Sequence, residues 1–244
     1  MNDTLAIRLI LMAAVLSMVV MAAGFAQKKF QEDVFSTSGG ELKITMIGHG
    51  TLMFTYAGKV IHIDPVSMFA DYATLPKADA ILITHEHFDH LDAKAIKLIR
   101  KADTEVIISP SCAKSLPDAV VMKNGETRTV ARIKVEAVPA YNPSEPFHPK
   151  GNGNGYIFNF GDKRVYVAGD TENVPEIKAL KNIDVAFLPM NQPYTMTPEQ
   201  VADVAKAMQP KVLYPYHYSE TDPNKLVDLL KDEKGIEVRI RDLK

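Results

Sequence analysis

The stretch that decides the fold runs from Ala80 to His90 and reads AILITHEHFDH. Its first five residues form an uninterrupted apolar run, which is typical of a short strand buried on both faces. The polar residues that follow would leave the sheet at the C-terminal end of that strand, where ligands commonly bind in α/β proteins. The stretch therefore predicts an α/β fold with a functional site at this edge of a sheet.

The polar part of the stretch, HEHFDH, has the residue types and the spacing of a metal site. In an extended chain, residues two apart point to the same side, at a rise of about 3.3 Å per residue. His85 and His87 can therefore present two imidazoles to one ion, and Asp89 and His90 can face a second. Zinc accepts imidazole and carboxylate ligands. The alternative is a polar loop that contains histidines by chance, but four donor side chains within six positions favour a metal site.

Short strands and helices are predicted on both sides of this motif. A helix is predicted to begin after Thr197, with Pro198 at its first position and Gln200 three residues after the cap. Gly161 and Asp162 mark a hairpin. Strands are predicted at residues 42–46, 51–56, 59–63, 80–84, 105–109, 127–138, 156–160, 164–168, 185–188, 212–216 and 237–240, and two further helices at 92–101 and 224–230. This succession predicts a layered α/β architecture with two sheets.

The composition limits the classes of function that remain. The chain has 30 acidic and 28 basic residues, a formal charge of −2, so no nucleic-acid partner is expected. Its content of 46% hydrophobic and 24% charged residues is that of an ordinary globular protein. Cys112 is the single cysteine, which excludes an internal disulfide and any cysteine-rich zinc module. The chemistry must therefore come from His, Asp and Glu.

Residues 1–26 have the pattern of a secretory signal peptide. Arg8 precedes an apolar run at residues 9–23, and the small residues Gly24 and Ala26 are placed for cleavage before Gln27. The alternative is an uncleaved anchor, because residues 9–26 reach the minimum length of a spanning helix. We expect one domain at residues 27–244 that is exported to the periplasm or the medium. Stable membrane association is expected only if the signal is not cleaved.

The motif resembles a known family. HEHFDH is similar to the H-x-H-x-D-H signature of the metallo-β-lactamase superfamily. In the expected order, Asp64 lies ahead of it within IDP, and Asp170 and His217 lie after it within AGDT and YHY. The segments GHGT at residues 48–51 and YTMT at residues 194–197 resemble the small metal-dependent hydrolases related to L-ascorbate-6-phosphate lactonase. The resemblance implies a four-layer αβ/βα sandwich with a dinuclear metal site at one edge.

The same resemblance implies how the donor residues are divided between two divalent ions, zinc or alternatively manganese. His85 and His87 would bind the first ion, Asp170 would bridge both, and the second would be held by Asp89, His90 and His217. Metal ions bound in this way lower the pKa of a coordinated water towards about 7 and make it a nucleophile. Asp89 would in addition accept or relay a proton, and Asp64 would orient a ligand.

One position departs from the family pattern. Relatives supply another histidine to the first metal in a segment like residues 139–141, but here the next residue is Asn142, whose neutral amide is a weak zinc ligand. The loop predicted at residues 142–155 contains three prolines and three glycines and brings His148 as a candidate for the vacancy. We expect His148 to be the ligand and Asn142 to support it. The alternative is that His148 is an exposed loop residue.

Some residues keep two interpretations. His49 lies between two glycines and either lines a substrate pocket or is an ordinary loop histidine, whereas His62 alternates with isoleucines and has a structural or surface role. Tyr194 and Tyr218 either touch substrate or pack with a bonded hydroxyl. Cys112 is not placed to serve as the cysteine ligand of the best-known zinc β-lactamases, which argues against that activity.

The sequence predicts a hydrolase that acts on an ester, lactone, amide or phosphodiester in a small molecule. A metal-binding scaffold without catalysis is the alternative from another class, and a nuclease is a third that the charge and the predicted export disfavour. Neither the substrate nor the oligomeric state follows from the sequence, because one fold supports many chemistries.

Overall fold

The computed structural model describes residues 29–144 and 146–244. The signal sequence predicted at residues 1–26 lies outside the described residues. Within the part of the chain that is described, none of the helices has both the length and the apolar character needed to span a membrane.

Two seven-stranded sheets form the centre of the described structure. The first contains, in chain order, β1 (Gln31–Thr37), β2 (Gly40–Gly48), β3 (Thr51–Tyr56), β4 (Lys59–Ile63), β5 (Ala80–Ile83), β6 (Glu105–Ile108) and β7 (Val120–Val121). The second contains β8 (Thr127–Val130), β9 (Ile133–Ala140), β10 (Gly153–Phe160), β11 (Lys163–Val167), β12 (Val185–Pro189), β13 (Val212–Tyr216) and β14 (Glu237–Val238). In each sheet three antiparallel pairings are followed by three parallel ones, so the two halves of the chain repeat one arrangement.

The helices cover the outer faces of the two sheets. They are α1 (Ala93–Ile99), α2 (Pro175–Lys178), α3 (Pro198–Met208) and α4 (Asn224–Leu230), with a 3-10 helix at Pro110–Lys114. Residues of α1 share one hydrophobic cluster with Ile81 and Ile83, whereas Ala80 and Leu82 belong to the cluster between the sheets. Strand β5 is therefore buried on both faces, as its apolar run predicts. The four-layer αβ/βα expectation is confirmed.

Aromatic contacts join the two sheets across the central layer. Phe54 of β3 meets the edge of Phe158 in β10, with ring centroids 5.2 Å apart. The buried hydroxyl of Tyr156 in β10 donates to the Ile83 carbonyl at the end of β5, at 2.8 Å. Each fully buried large apolar side chain contributes about 1.5–3 kcal/mol. The packing fixes the strand ends of one sheet against those of the other.

Most predicted elements are present within a residue or two of their predicted bounds, and Thr197 caps α3 in a capping box with Gln200. The single strand predicted at residues 127–138 is wrong. Ala131 and Arg132 adopt positive φ values of 47° and 69°, so the chain folds back into the hairpin of β8 and β9. Neither residue is the glycine or asparagine that usually marks such a turn. The predicted loop at residues 142–155 is also too long, since Gly153 begins β10.

Candidate metal centre

The candidate site is built at the C-terminal ends of strands from both sheets. Strand β4 leads directly into Asp64 and β5 into Thr84 and His85, while in the second sheet β11 leads through Gly169 to Asp170 and β13 into His217. Gly169 has a φ of +65°, and a Cβ there would lie 2.8 Å from the Asn154 carbonyl oxygen, so the turn before Asp170 requires glycine. The carboxyl edge predicted from AILIT is therefore where the donors converge.

Six of the seven histidines of the chain lie at this edge, together with two aspartates. Their ligand atoms form three overlapping groups, each with all atoms within 4.8 Å of one another. The groups are His85, His87 and His148; His49, Asp89, His90 and His217; and His85, His90 and Asp170. The structure thus brings together every residue that the sequence proposes as a ligand.

Asp170 lies between the first two of these groups. Its Oδ2 atom lies 3.3 Å from His217 Nε2 and 3.5 Å from His148 Nε2, and 3.9 Å from His85 Nε2. Its Oδ1 atom lies 3.4 Å from His90 Nε2. One carboxylate therefore reaches the imidazoles of both candidate ion positions.

Four of the ligand atoms that meet here have no hydrogen-bond partner among the described residues. His85 Nε2, His90 Nε2, His217 Nε2 and Asp170 Oδ1 are all buried in this state. Buried polar atoms are almost always bonded, and exceptions need an explanation such as an ion. Imidazole and carboxylate in this combination are a donor set that zinc accepts. The residues present therefore fit bound metal ions.

A chain of hydrogen bonds from Asp64 orients two of the histidines. Asp64 is 1% exposed and its Oδ2 lies 2.8 Å from His90 Nδ1 and accepts from the Thr84 hydroxyl at 2.6 Å. A carboxylate only accepts, so His90 Nδ1 donates to Asp64, and Nε2 points away from Asp64 towards Asp170. Because the hydrogen of the Thr84 hydroxyl is donated to Asp64, the Thr84 oxygen accepts a hydrogen bond from His85 Nδ1 at 3.0 Å. Both histidines consequently have Nδ1 held by a hydrogen bond and Nε2 directed at the centre.

The loop after β9 brings His148 next to the first group. The backbone N–H of Asn142 donates to the backbone carbonyl of His148 at 2.9 Å, and this bond folds the loop back on itself. The Asn142 side-chain oxygen bonds to His148 Nδ1, and His148 Nε2 lies 3.2 Å from His87 Nδ1. His148 is 5% exposed, so the alternative of an exposed loop residue is wrong. Whether His148 binds metal remains a prediction.

His49 lines the same site and contacts Asp89. Its Nε2 lies 3.2 Å from Asp89 Oδ2 and donates to it, because the carboxylate only accepts. Its ring stacks on Phe69, and its backbone carbonyl accepts from the His217 N–H at 3.3 Å. A Cβ on the following residue, Gly50, would lie 2.7 Å from His90 Cε1, so glycine permits this close approach. His49 therefore sits within the pocket wall, and its position among possible ligands was not apparent from the sequence.

The electrostatics of the centre follow from burial and from mutual contacts. Burial opposes ionisation of Asp170, but His217, His90 and the other imidazoles outweigh it and lower the pKa of Asp170. Burial also opposes charge on His90, but Asp170 and Asp64 outweigh it and raise the pKa of His90 to about 9. Burial lowers the pKa of His85 well below its usual value, and the neighbouring His90 adds to this. The site thus keeps ionised carboxylates among neutral and charged imidazoles.

A cavity of about 400 Å³ opens over the candidate centre. Asp89, Asp170, His148 and His217 form part of its wall. The remaining wall includes the non-ligand residues Phe88, Phe147, Asn191, Tyr194 and Ser219. The candidate centre therefore borders a cavity large enough to hold a small molecule.

Tyr218 and His62, which the sequence left with two interpretations, and the single cysteine Cys112 have structural roles. The Tyr218 hydroxyl donates to the Arg241 carbonyl at 2.8 Å, away from the cavity. His62 is fully buried and bonds through Nε2 to the Pro76 carbonyl at 3.0 Å. Cys112 is buried beside Ser109, and burial raises the pKa of its thiol to about 11. Tyr194, by contrast, lines the cavity.

Comparison with known proteins agrees with this geometry. A family model described as "Beta-lactamase superfamily domain" matches residues 43–217, and the chain belongs to this superfamily. The chain is 32% identical over 197 residues to a UPF0173 metal-dependent hydrolase of Koribacter versatilis, across 72% of this chain and 84% of that protein. The protein is accordingly a metal-dependent hydrolase of the metallo-β-lactamase fold, as the motif predicts.

Two solved structures are similar to this chain over most of their own length. A Parabacteroides distasonis protein, provisionally described as a metal-dependent hydrolase, is 55% identical with a TM-score of 0.86, covering 88% of this chain and 100% of that one. Igni18, a metallo hydrolase from Ignicoccus hospitalis, is 26% identical with a TM-score of 0.71, covering 83% and 95%. Both extend the similarity beyond residues 43–217.

Proposed function

We propose that the protein hydrolyses an ester, lactone or phosphodiester bond in a small molecule and uses two divalent ions, zinc or alternatively manganese. The observation that carries this proposal is the set of buried, unbonded ligand atoms of His85, His90, Asp170 and His217, of which Asp170 and His217 line an open cavity. The first ion would be held by His85, His87 and His148, the second by Asp89, His90 and His217, and Asp170 would contact both.

The chain's own residues supply proton handling and orientation. A metal ion bound here lowers the pKa of a coordinated water from about 15.7 towards 7 and polarises a substrate oxygen. Asp89 lines the cavity, its side chain is 23% exposed, and His49 fixes its carboxylate. Asp89 is therefore placed to accept a proton from a reacting water and to pass it on. Asp64 and Asn142 hold the imidazoles of His90 and His148 in the orientation that exposes Nε2.

The test is metal content and hydrolysis in the same preparation. Purified protein is reconstituted with zinc or manganese and assayed, with and without chelator, on p-nitrophenyl butyrate, γ-butyrolactone and bis(p-nitrophenyl) phosphate. We expect close to two metal ions per chain and activity that the chelator abolishes. His85→Ala should lose at least one ion and nearly all activity.

The matched control is His62→Gln, because His62 is the one histidine of the chain outside the site and glutamine can still donate to the Pro76 carbonyl. This variant should keep the full metal content. Absence of bound metal after reconstitution would refute the dinuclear proposal. Two bound ions without hydrolysis of any probe would instead favour the metal-binding scaffold.

A further inference from the structure

The mouth of the cavity is lined by Phe88, Phe147 and Tyr194, which we call the aromatic rim. Phe88 is 76% exposed although it lies between two candidate ligands, and Tyr194 is 47% exposed. They are the two aromatic residues among the exposed large hydrophobic side chains of the described chain. Phe147 and Tyr194 meet edge to face with centroids 5.0 Å apart. Exposed aromatic rings gathered at one opening indicate a surface that binds an apolar group.

The wall of the cavity lacks a cationic partner for an anion. Within the described residues, neither lysine nor arginine lines it. Lys150 lies two positions after His148, but its ammonium group is 2.7 Å from Glu176 Oε1 and contacts the Tyr141 ring instead. The ionisable side chains that do line the cavity are the candidate ligands and His49. An anionic group remote from the reacting centre would therefore lie against aromatic rings without a counter-charge, which is unfavourable.

The remaining polar side chains of the wall are neutral. Asn191 follows β12, and Ser219 follows His217 in the loop after β13. Both are partly exposed and can donate to a carbonyl or ether oxygen of a substrate. The rim is also tied to the centre, because the Asn142 side chain donates to the Tyr194 carbonyl at 2.9 Å while its oxygen bonds to His148. The recognition surface is thus aromatic and uncharged and is joined to the candidate metal centre.

We propose that the natural substrate is an uncharged ester or lactone with an aromatic or aliphatic substituent, and that this substituent packs on the aromatic rim. This inference rests on the proposed hydrolytic function and adds the class of substrate. In the reaction, the acyl C–O bond of the substrate breaks, the acyl carbon forms a bond to the water oxygen, and a proton of the water passes to the leaving oxygen. An ester gives an alcohol and an acid, and a lactone gives one hydroxy acid. A substrate with a phosphate or carboxylate far from the reacting bond is disfavoured.

The test compares three γ-lactones that share one ring and carry methyl, phenyl or 4-carboxyphenyl at the γ position; the last, called the carboxylate lactone, places its charge at the far end of the phenyl ring. With the metal-reconstituted protein we expect the phenyl lactone to have the highest kcat/KM. The carboxylate lactone should be at least about tenfold worse than the phenyl lactone, because its charge has no partner on the rim. Equal or higher kcat/KM for the carboxylate lactone would overturn the inference.

Variants of the rim test where the substituent binds. Phe88→Ala and Tyr194→Ala change exposed side chains and should fold normally, and we expect each to raise KM for the phenyl lactone about five- to tenfold. KM for the methyl lactone and the metal content should change little. Tyr194→Phe keeps the ring and should behave as the parent, and Val34→Ala, at an exposed position on β1, is the control. Unchanged KM for the phenyl lactone in both alanine variants would contradict the proposal.

A binding measurement separates this inference from the hydrolytic proposal. Phenyl-substituted cyclopentanone, which has no bond to hydrolyse, and its carboxylate analogue are titrated by calorimetry into the metal-loaded protein. We expect the phenyl ketone to bind and to weaken in Tyr194→Ala, and the carboxylate to bind at least about tenfold more weakly. If neither the lactones nor the ester and phosphodiester probes are hydrolysed but this pattern holds, the hydrolytic proposal fails and the rim still selects neutral ligands. If the phenyl ketone does not bind, or binds no better than the carboxylate, the inference is wrong.

Discussion

Asp64 offers the sharpest test of how the centre is organised, because one buried carboxylate orients two histidines. Both of its oxygens are in use: Oδ1 accepts from the Thr84 backbone N–H at 2.8 Å, and Oδ2 contacts both the Thr84 hydroxyl and His90 Nδ1. Asp64 itself has a positive φ of 45°, and asparagine tolerates this region as aspartate does. The substitution Asp64→Asn therefore changes the hydrogen bonding with almost no change in shape.

The amide of Asp64→Asn cannot satisfy all three donors. If its NH2 group faces His90, Nδ1 must accept, and the proton moves to Nε2, where it blocks metal binding. If the amide is flipped, the NH2 group meets the Thr84 N–H, and one buried donor is unsatisfied at a cost of about 1–3 kcal/mol. Loss of such an orienting contact typically weakens metal affinity by about 10–100-fold, or about 1.4–2.7 kcal/mol. Because Thr84 passes the effect to His85, both candidate ion positions should weaken.

The assay is a zinc titration of metal-free protein in competition with a chromophoric chelator, with circular dichroism to verify folding. Thr84→Val should weaken only the ion held by His85, since it removes the hydroxyl but leaves Asp64 on His90. Asp103→Asn is the matched control, because that side chain is 79% exposed and pairs only loosely with Lys101 at 3.8 Å. Parental affinity and stoichiometry in a folded Asp64→Asn variant would refute the reasoning.

Three further predictions concern other parts of the chain. His148→Ala should weaken metal binding markedly and Asn142→Ala less, because Asn142→Ala removes the contact that orients His148 but leaves its imidazole; full metal content and activity in His148→Ala would show that His148 is not a ligand. Burial lowers the pKa of His62 from 6.5 to about 4, so protonation favours the unfolded chain. The contribution of neutral, buried His62 to the free energy of unfolding should be complete above pH 6.5. About 3 kcal/mol of this free energy should be lost as the pH falls from 6.5 towards 4. Denaturant melts of metal-free parent and His62→Gln should then differ in pH dependence over this range, and parallel curves would contradict the assignment. We also propose export with cleavage before Gln27, which N-terminal sequencing of the mature protein tests; Met1 retained on membrane-bound protein would favour an anchor.

The sequence predicts those parts of the fold and the site that short-range signals encode. The run AILIT identifies a doubly buried strand, and the donors that follow it lie where a carboxyl edge places them. His148 was a candidate because it is the spare histidine in a loop rich in proline and glycine. The turn at Ala131 and Arg132 was not predicted, because neither residue is a glycine or asparagine of the kind that marks a turn. The alternation of apolar and polar residues also continues through the turn.

Other features depend on contacts between distant parts of the chain. Strand β1 has a mostly polar, half-exposed sequence and is held by pairing with β2 and by the Asp33 carboxylate, which accepts from Arg241 at 2.8 Å. The aromatic rim likewise combines Phe147 from the loop after β9 with Tyr194 from the loop after β12. Neither residue has a local pattern that distinguishes a binding surface from a packing residue.

The division of the donors between the two halves of the chain links metal binding to the docking of the sheets. His85, His87, Asp89 and His90 follow strands of the first sheet, whereas His148, Asp170 and His217 follow strands of the second. Neither half contains all the donors proposed for either ion, so an ion that takes donors from both halves favours the docked arrangement and stabilises it by about 2.7 kcal/mol when the ion is at a hundred times its Kd. Asp170 already contacts imidazoles of both halves, His90 at 3.4 Å and His217 at 3.3 Å. The carboxylate of Asp170, which is proposed to contact both ions, therefore also holds the two halves together before any ion binds. The ligand atoms are thus already close to one another when an ion arrives.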